Sequence, residues 1–408
     1  MRILYSAFTA FPSAGSEAQC GWAWAEAMRN YNEVYLLTRK QARKDIEQYM
    51  TKNNINNIKV FYHDIPDCIN PYYKKGKLYF LYYIMWQSSV KKTIKKLQKQ
   101  YNFDYVHHIT LGDFRVVGTA GKYAKHFVFG PVGGAQLTPK PFKKYIKGHE
   151  KSEKSRQLIN MSVKINPFYR HKLNKADLVL AANKETQEYL SSMMRDKTKC
   201  RILTENGIFK SKFTSIDTGS LKNNDTIYLL WAGRMIYRKG LEFLLEVISI
   251  TKSKRDFHLM LVGDGPEKEK LIKKAEELGI EDKVTFAGKV PYTEIKNIYS
   301  FCDIFIFPSL RETTGTVLFE AMSSALPVIT FNQNGADLLI DESCGIKVNI
   351  NQSLDDIKKE FACAIEKLVN HSDICTQLGI NAYNKIQNEY TWENKCKNFE
   401  TTFLKDIL

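Results

Sequence analysis

SLRETTGTVLFEAMSSALPVI, residues 309–329, sets a carboxylate, a glycine turn and a second carboxylate between two apolar runs. The run before it, DIFIFP (303–308), is short, β-branched or aromatic, and stopped by Pro308, which is the pattern of a central strand in a parallel sheet. From Thr316 to Ser324, Val317, Phe319 and Met322 stand among good helix formers, so a helix is expected, with Pro327 stopping it before VIT opens another strand. The unit reads as strand, loop, helix, strand. Ligands of such sheets bind beyond the carboxyl ends of the strands, which puts Arg311, Glu312, Gly315 and Thr316 at the mouth of a site. Seven residues separate Glu312 from Glu320, placing one carboxylate in the loop and the other inside the helix, both facing one crevice.

At 408 residues the chain exceeds what one hydrophobic core usually supports, and an apolar content of 44% is ample for two. A net charge of +16 points to anionic partners and leaves nucleic acid, a membrane surface and a phosphorylated substrate all open. The eight cysteines, at 20, 68, 200, 302, 344, 363, 375 and 396, form no C-x-x-C pair, so they read as free thiols in a reducing compartment. MRILYSAF reads as a strand rather than a signal peptide, and no apolar run approaches the roughly 20 residues of a membrane span. A cytoplasmic protein is the expectation.

In the N-terminal half, strands are expected at RILYSAF (2–8), EVYLLTR (33–39), KVFYHD (59–64), DYVHHIT (104–110), HFVFGPVGG (126–134) and ADLVLAAN (176–183), with RILTENGI (201–208) closing the half. After the first strand, Gly15 permits a tight loop and Ser16 can cap a helix whose free amides would favour an anion; the plainer reading is a helix start on which Trp22 and Trp24 pack. Residues 68–103 hold eight lysines and no acidic residue among many aromatics. Trp86, Val90, Ile94 and Leu97 recur there at helical spacing, with Lys91, Lys92, Lys95, Lys96 and Lys99 on the remaining faces. Such a helix suits an anionic lipid surface, and equally a sheet-packed helix with a solvated lysine face. Residues 140–175 are basic again, from Lys143 to Lys172, against Glu150 and Glu153. Glu17, His108, Gly133 and Gly134 are candidate contacts for an acceptor or sugar.

Residues 209–224 are polar and without periodicity, the mark of a linker. TIYLLWAGRMIYRKGLEFLLEVI (226–248) then reads as strand, glycine turn and amphipathic helix, with Arg234 and Lys239 in a turn where two cations and helix amides can neutralise a diphosphate. HLMLVGDGPEKEKL (258–271) adds a strand and a glycine loop at Gly263, and VTFAGKVP (284–291) a turn from Gly288 through Val290. The stretch YTWENKCKNFETTFLKDIL (390–408) reads as a helix.

The context PSLRE..G.VLFEAM...LPVI resembles the E-x7-E signature of the retaining glycosyltransferases of family 4, and the likeness extends over nearly the whole chain, most specifically residues 231–335. Ala325 departs from it, standing where the family usually has glycine. The resemblance implies a GT-B architecture: two Rossmann-like doubly wound α/β domains facing across a cleft. It implies an acceptor-binding domain over 1–208, the linker 209–224, a nucleotide-sugar domain over 225–390, and a helix 391–408 crossing back to the first. By resemblance, Arg234 and Lys239 bind the donor diphosphate with the Gly15 loop and the Thr316 amide, Glu312 holds the donor sugar, and Glu320 holds the ribose. Gly263, Gly288, Val290, Gly315 and Val317 complete the donor-binding set. The GPVGG run is similar to a subset of the family, and the histidine that many members carry on this strand is missing.

With no D-x-D sequence anywhere in the chain, neither metal nor other cofactor is expected, and the two cations take the role of a metal. No carboxylate on the N-terminal half stands out as a nucleophile behind the sugar, so a front-face reaction is the expectation. The implied partners are a nucleotide-diphosphate sugar and a lipid-linked glycan or glycolipid acceptor at an anionic membrane surface, with no nucleic acid, and the implied place is the inner face of the plasma membrane. Two rivals stand beside this reading: a non-catalytic subunit of a glycosyltransferase pair, and another GT-B enzyme such as a nucleotide-sugar epimerase or a phosphorylase.

Overall fold

Seven strands, β1 (Arg2–Ala7), β2 (Glu33–Thr38), β3 (Ile58–Tyr62), β4 (Tyr105–Thr110), β5 (Phe127–Val132), β6 (Leu178–Ala181) and β7 (Cys200–Ile202), occupy the runs expected for them. β4, β5 and β6 are buried along their whole length, as apolar runs without alternation require. They form one parallel sheet in the order β3-β2-β1-β4-β5-β6-β7. Six further strands, β8 (Thr226–Ala232), β9 (Asp256–Val262), β10 (Val284–Gly288), β11 (Ile304–Phe307), β12 (Val328–Phe331) and β13 (Gly345–Val348), form a second parallel sheet ordered β10-β9-β8-β11-β12-β13. In both, the order reverses beside the first strand, which opens a crevice at the carboxyl ends of the strands there. The two doubly wound α/β units expected from the sequence are present.

This computed structural model describes residues 1–15, 17–66, 78–212 and 226–406. Ser16, residues 68–77 of the aromatic-basic stretch and most of the expected linker lie outside the described residues. The first compact unit comprises Met1–Ala135, Leu158–Asn206 and Trp392–Leu408; the second comprises Gln136–Gln157 and Gly207–Thr391.

In the first unit, the helix Tyr79–Tyr101 buries Tyr82, Tyr83, Trp86, Val90, Ile94 and Leu97 in the core that also holds Leu4, Phe8, Tyr35 and Phe129. It ends where Asn102 turns left-handed (φ 51°), its N–H bonded to the Gln98 carbonyl. Lys91, Lys92, Lys95, Lys96 and Lys99 are all exposed. The helix Glu17–Met28 packs its two tryptophans inward; Trp24 meets Trp392 and Phe399 with ring centroids 6.0 and 5.2 Å apart, which ties down the segment Trp392–Phe403. No helix among the described residues is long and apolar enough to cross a membrane.

The expected boundary at residue 208 differs from the packing at one place: Gln136–Gln157 belong to the second unit. The physical reason lies in the short helical segment Lys140–Ile146. Phe142 and Tyr145 are buried in the second core, with Phe142 4.9 Å from the Phe331 ring and 5.7 Å from the Phe243 ring. Around them Lys144 and the Tyr145 hydroxyl both donate to Glu246, at 2.7 and 2.8 Å. Part of the basic stretch 140–175 is thus spent on packing inside the second unit.

Candidate functional site

In the second unit, β8 and β9 deliver two glycine turns that touch. Gly233 donates to the Val262 carbonyl at 2.9 Å, and Gly263 to the Gly288 carbonyl at 2.8 Å. A Cβ on Gly263, whose φ is +134°, would lie 1.8 Å from the Gly233 oxygen, so only glycine fits. The two turns floor a pocket of about 500 Å³ lined by Arg234, Gly263, Val290, Val317 and Glu320 among others. Five of the residues singled out in the sequence are brought together there. Gly288 lies just beneath, through its bond to Gly263.

Glu320 projects into this pocket from the helix Thr316–Met322 and accepts a hydrogen bond of 3.0 Å from the Tyr299 hydroxyl. Tyr299 was not among the sequence candidates; its spacing from Ile295, one helical turn earlier and also lining the pocket, was the signal available. Arg234 is exposed at the rim and has no ion-pair partner among the described residues.

The loop between β11 and that helix carries a second cluster. Glu312 is paired with Lys239 and lies 3.0 Å from the Arg238 guanidinium, so one carboxylate meets two cations. Burial would raise the Glu312 carboxyl, but the charges of Lys239 and Arg238 outweigh it and hold the group below the usual carboxylate range. Arg238, adjacent to Lys239 in the same turn, is a site cation that the sequence reading passed over. Gly315 has φ +92°, and a Cβ there would strike the Phe307 ring at 2.7 Å. Thr316 opens the helix directly after it.

This loop is braced by the segment that joins the second unit from the N-terminal half. Arg311 donates to Glu153 at 2.8 Å, the Tyr237 hydroxyl donates to the same oxygen at 2.7 Å, and Gln136 donates to the Thr313 hydroxyl at 3.0 Å. His149 stacks on Tyr237 with centroids 4.0 Å apart. Arg311, expected at the mouth, is turned to bracing, and Glu153 is a positioning group that nothing in its local sequence announced.

The remaining candidates lie in the first unit. A Glu17 carboxylate oxygen accepts from the Gly112 N–H at 2.7 Å, Gly133 donates to the Gly112 carbonyl at 2.8 Å, and the Gly134 carbonyl accepts from Arg115 at 3.1 Å. Glu17, Gly133 and Gly134 therefore gather at the ends of β4 and β5. Gly15 is exposed, and a Cβ there would meet nothing, so no steric demand singles it out. His108 does not join them: it is fully buried, bonded through Nε2 to the Tyr83 hydroxyl at 3.0 Å and through Nδ1 to Gln87 at 3.4 Å. Burial pushes it down to about 4, so it is a neutral core histidine; its enclosure by Tyr83 and Gln87, not its charge, is what corrects its candidacy as a sugar contact.

Two parallel α/β units of this topology define the GT-B fold, and solved structures bear it out. A glycosyltransferase from Rickettsia africae superposes with a TM-score of 0.66 at 18% identity, covering 100% of this chain and 98% of that one. Anabaena Alr3699/HepE in complex with UDP gives 0.65 at 18% identity, covering 99% and 100%. At the level of sequence, residues 213–385 match the family model of the group 1 glycosyl transferases. Among curated relatives, the uncharacterized glycosyltransferase MJ1607 of Methanocaldococcus jannaschii is 27% identical over 175 residues, 43% of this chain and 44% of that protein. The capsular polysaccharide biosynthesis glycosyltransferase CapM of Staphylococcus aureus is 26% identical over 244 residues, 56% of this chain and 62% of that protein. The matches thus span roughly half the length of these relatives.

Proposed function

We propose that the protein is a retaining glycosyltransferase of family 4 that moves a hexosyl group from a nucleotide-diphosphate sugar to a glycan acceptor. One observation carries the reading: a pocket that joins Arg234, two touching glycine turns and a Tyr299-bonded Glu320, next to a carboxylate held between Lys239 and Arg238. Glu320, oriented by Tyr299, accepts hydrogen bonds from the ribose hydroxyls. Arg234 and Lys239 take the diphosphate, and Glu312 the hydroxyls of the sugar.

As the anomeric C–O bond breaks, its electron pair passes to the diphosphate oxygen, where fixed cations stabilise the charge without reorganisation. The acceptor oxygen attacks the same face of the sugar, and its proton goes to the departing phosphate oxygen. Cations in the role of a metal make divalent ions unnecessary to this scheme.

The relative that acts in capsular polysaccharide biosynthesis favours a surface glycan or glycolipid as acceptor. The lysine-rich exposed face of the helix Tyr79–Tyr101 favours a lipid-linked acceptor met at the inner face of the plasma membrane. The test is a donor screen by nucleotide release in the presence of EDTA. Arg234→Ala and Lys239→Ala should each weaken donor binding by about 1.5–3 kcal/mol. Unchanged affinity and turnover in folded variants, or activity lost to the chelator and restored by Mg²⁺ or Mn²⁺, would contradict the assignment.

A further inference from the structure

Between residues 158 and 168 the chain turns its polarity inside out. A surface helix ordinarily buries its apolar stripe. Here, in the C-terminal part of the helix Glu150–Ile165, the inward residues are the partly buried Val163 and Asn160, which is 5% exposed and whose side chain accepts from Arg115 at 2.7 and 3.1 Å. Its backbone carbonyl accepts from the Tyr189 hydroxyl. The outward residues are Leu158 (65% exposed), Ile159 (47%), Met161 (62%) and Ile165 (73%). The next helix, Pro167–Leu173, continues the face with Phe168, 80% exposed. Phe168 is held outward by geometry: Asn166 caps that helix, accepting from the Phe168 and Tyr169 amides at 2.9 and 3.2 Å, while Tyr169 and Leu173 are buried. Five large apolar side chains on two consecutive helices, fixed from within by a polar network, form a patch that implies a partner.

Charge selects the partner. No acidic residue occurs from Lys154 through Ala176, and Lys164, Arg170, Lys172 and Lys175 stand exposed around the apolar face. A second copy docking on this face by a two-fold axis would bring like charges together. An anionic bilayer meets both features at once, accepting the apolar side chains at the acyl boundary and the cations at the headgroups, with the lysine stems snorkelling between.

We infer that the helix pair 158–173 is a membrane anchor, inserting Met161, Ile165 and Phe168 into an anionic lipid surface. This rests on the membrane part of the proposed function and not on its donor chemistry. Attachment is therefore part hydrophobic, in contrast with the purely electrostatic contact that exposed lysines alone would give.

The experiment measures binding of the full chain to phosphatidylcholine vesicles with and without phosphatidylglycerol, in the absence of donor and acceptor. The wild type should bind the anionic vesicles and retain part of that binding at raised salt. Ile165→Ser combined with Phe168→Ser should weaken it at least about tenfold, since each removes an outward apolar side chain from its lipid contact. Lys164→Gln with Arg170→Gln and Lys172→Gln should lower binding to anionic vesicles towards the level seen with neutral ones. Phe168→Trp, which preserves bulk and keeps the test open should the serine pair misfold, should add a blue-shifted emission component when vesicles are supplied. Absence of wild-type binding, serine variants that bind as well as the wild type, no emission shift from Trp at 168, or a concentration-dependent dimer abolished by the serine pair would each overturn the anchor. Sugar transfer to a soluble acceptor is scored separately, so failure of the anchor and failure of the transferase reading cannot be confused.

Discussion

The hydroxyl of Tyr299 donates to Glu320, and its removal tests what that contact contributes. Tyr299→Phe leaves the ring against Phe305 and removes the hydroxyl's hydrogen bond to Glu320. Because a ribose contact acts equally on ground and transition states, donor KM should rise about three- to tenfold with kcat little changed, as for loss of about 1 kcal/mol of uniform binding. Steady-state kinetics at saturating acceptor decide it: a fall in kcat at constant KM would move Glu320 from binding to chemistry. At this scale the sequence was most informative where glycines enforce close approach. Gly263 and Gly315 bring Val290, Val317 and Glu320 to the pocket because no other residue fits the backbones around them. It was least informative where identity comes from a distant partner: Arg238 reads like any surface cation until Glu312 folds against it, and His108 like a ligand until Tyr83 and Gln87 enclose it.

Among elements, the segment Lys140–Ile146 shows how a composition can mislead. Its lysines read as a cationic surface, yet Phe142 is wholly buried among Phe243, Phe331 and Phe361, and Lys144 is paired with Glu246. Phe142→Ala should destabilise the second unit by about 3–5 kcal/mol, the range for emptying a buried aromatic site. Chemical denaturation followed by Trp231 fluorescence checks this, and a loss under 1 kcal/mol would mean that the segment is a passenger. The same change should raise donor KM, because the braces from Gln136 and Glu153 to the 311–313 loop flank this segment on either side. Strands were legible as short, largely apolar runs, several in the second sheet ended by proline or glycine, and the helix Tyr79–Tyr101 as a stripe of Trp86, Val90, Ile94 and Leu97. The helix Glu150–Ile165 was not, since periodicity locates a buried face by its apolar residues and here the buried position 160 is an asparagine.

For the molecule as a whole, two kinds of buried base set the pH dependence of stability. Burial pushes Lys395 down to about 8, despite its bond to the Asn206 carbonyl at 3.1 Å and the Trp392 ring 4.4 Å away. An unfolded lysine titrates near about 10.4, so between these values the unfolded chain binds more protons and stability rises with pH. Burial likewise lowers His107 to about 3 and His108 to about 4, so stability also rises from about pH 4 to about 6.5. Above about pH 8.5 the thiols oppose this, because burial raises Cys20, Cys200, Cys344 and Cys396, and beyond about pH 10 so do Tyr5, Tyr83 and Tyr105: the unfolded chain loses protons that the folded one keeps. Urea midpoints across pH 4–11 should therefore show an acid-side rise and an alkaline fall. Lys395→Met should make the fall between about pH 8 and 10 steeper; if it is unchanged, the assignment to Lys395 is wrong.

Neither unit is a continuous stretch of chain: the first gathers Met1–Ala135, Leu158–Asn206 and Trp392–Leu408. On the ribosome, Trp24 and His107 are made early, yet the aromatic rings of Trp392 and Phe399 that cover them emerge only after the whole second unit has been synthesised. Translation thus imposes a waiting time during which that flank of the nascent first unit is uncovered, and the emergence of Trp392 and Phe399, rather than collapse of the opening strands, completes it.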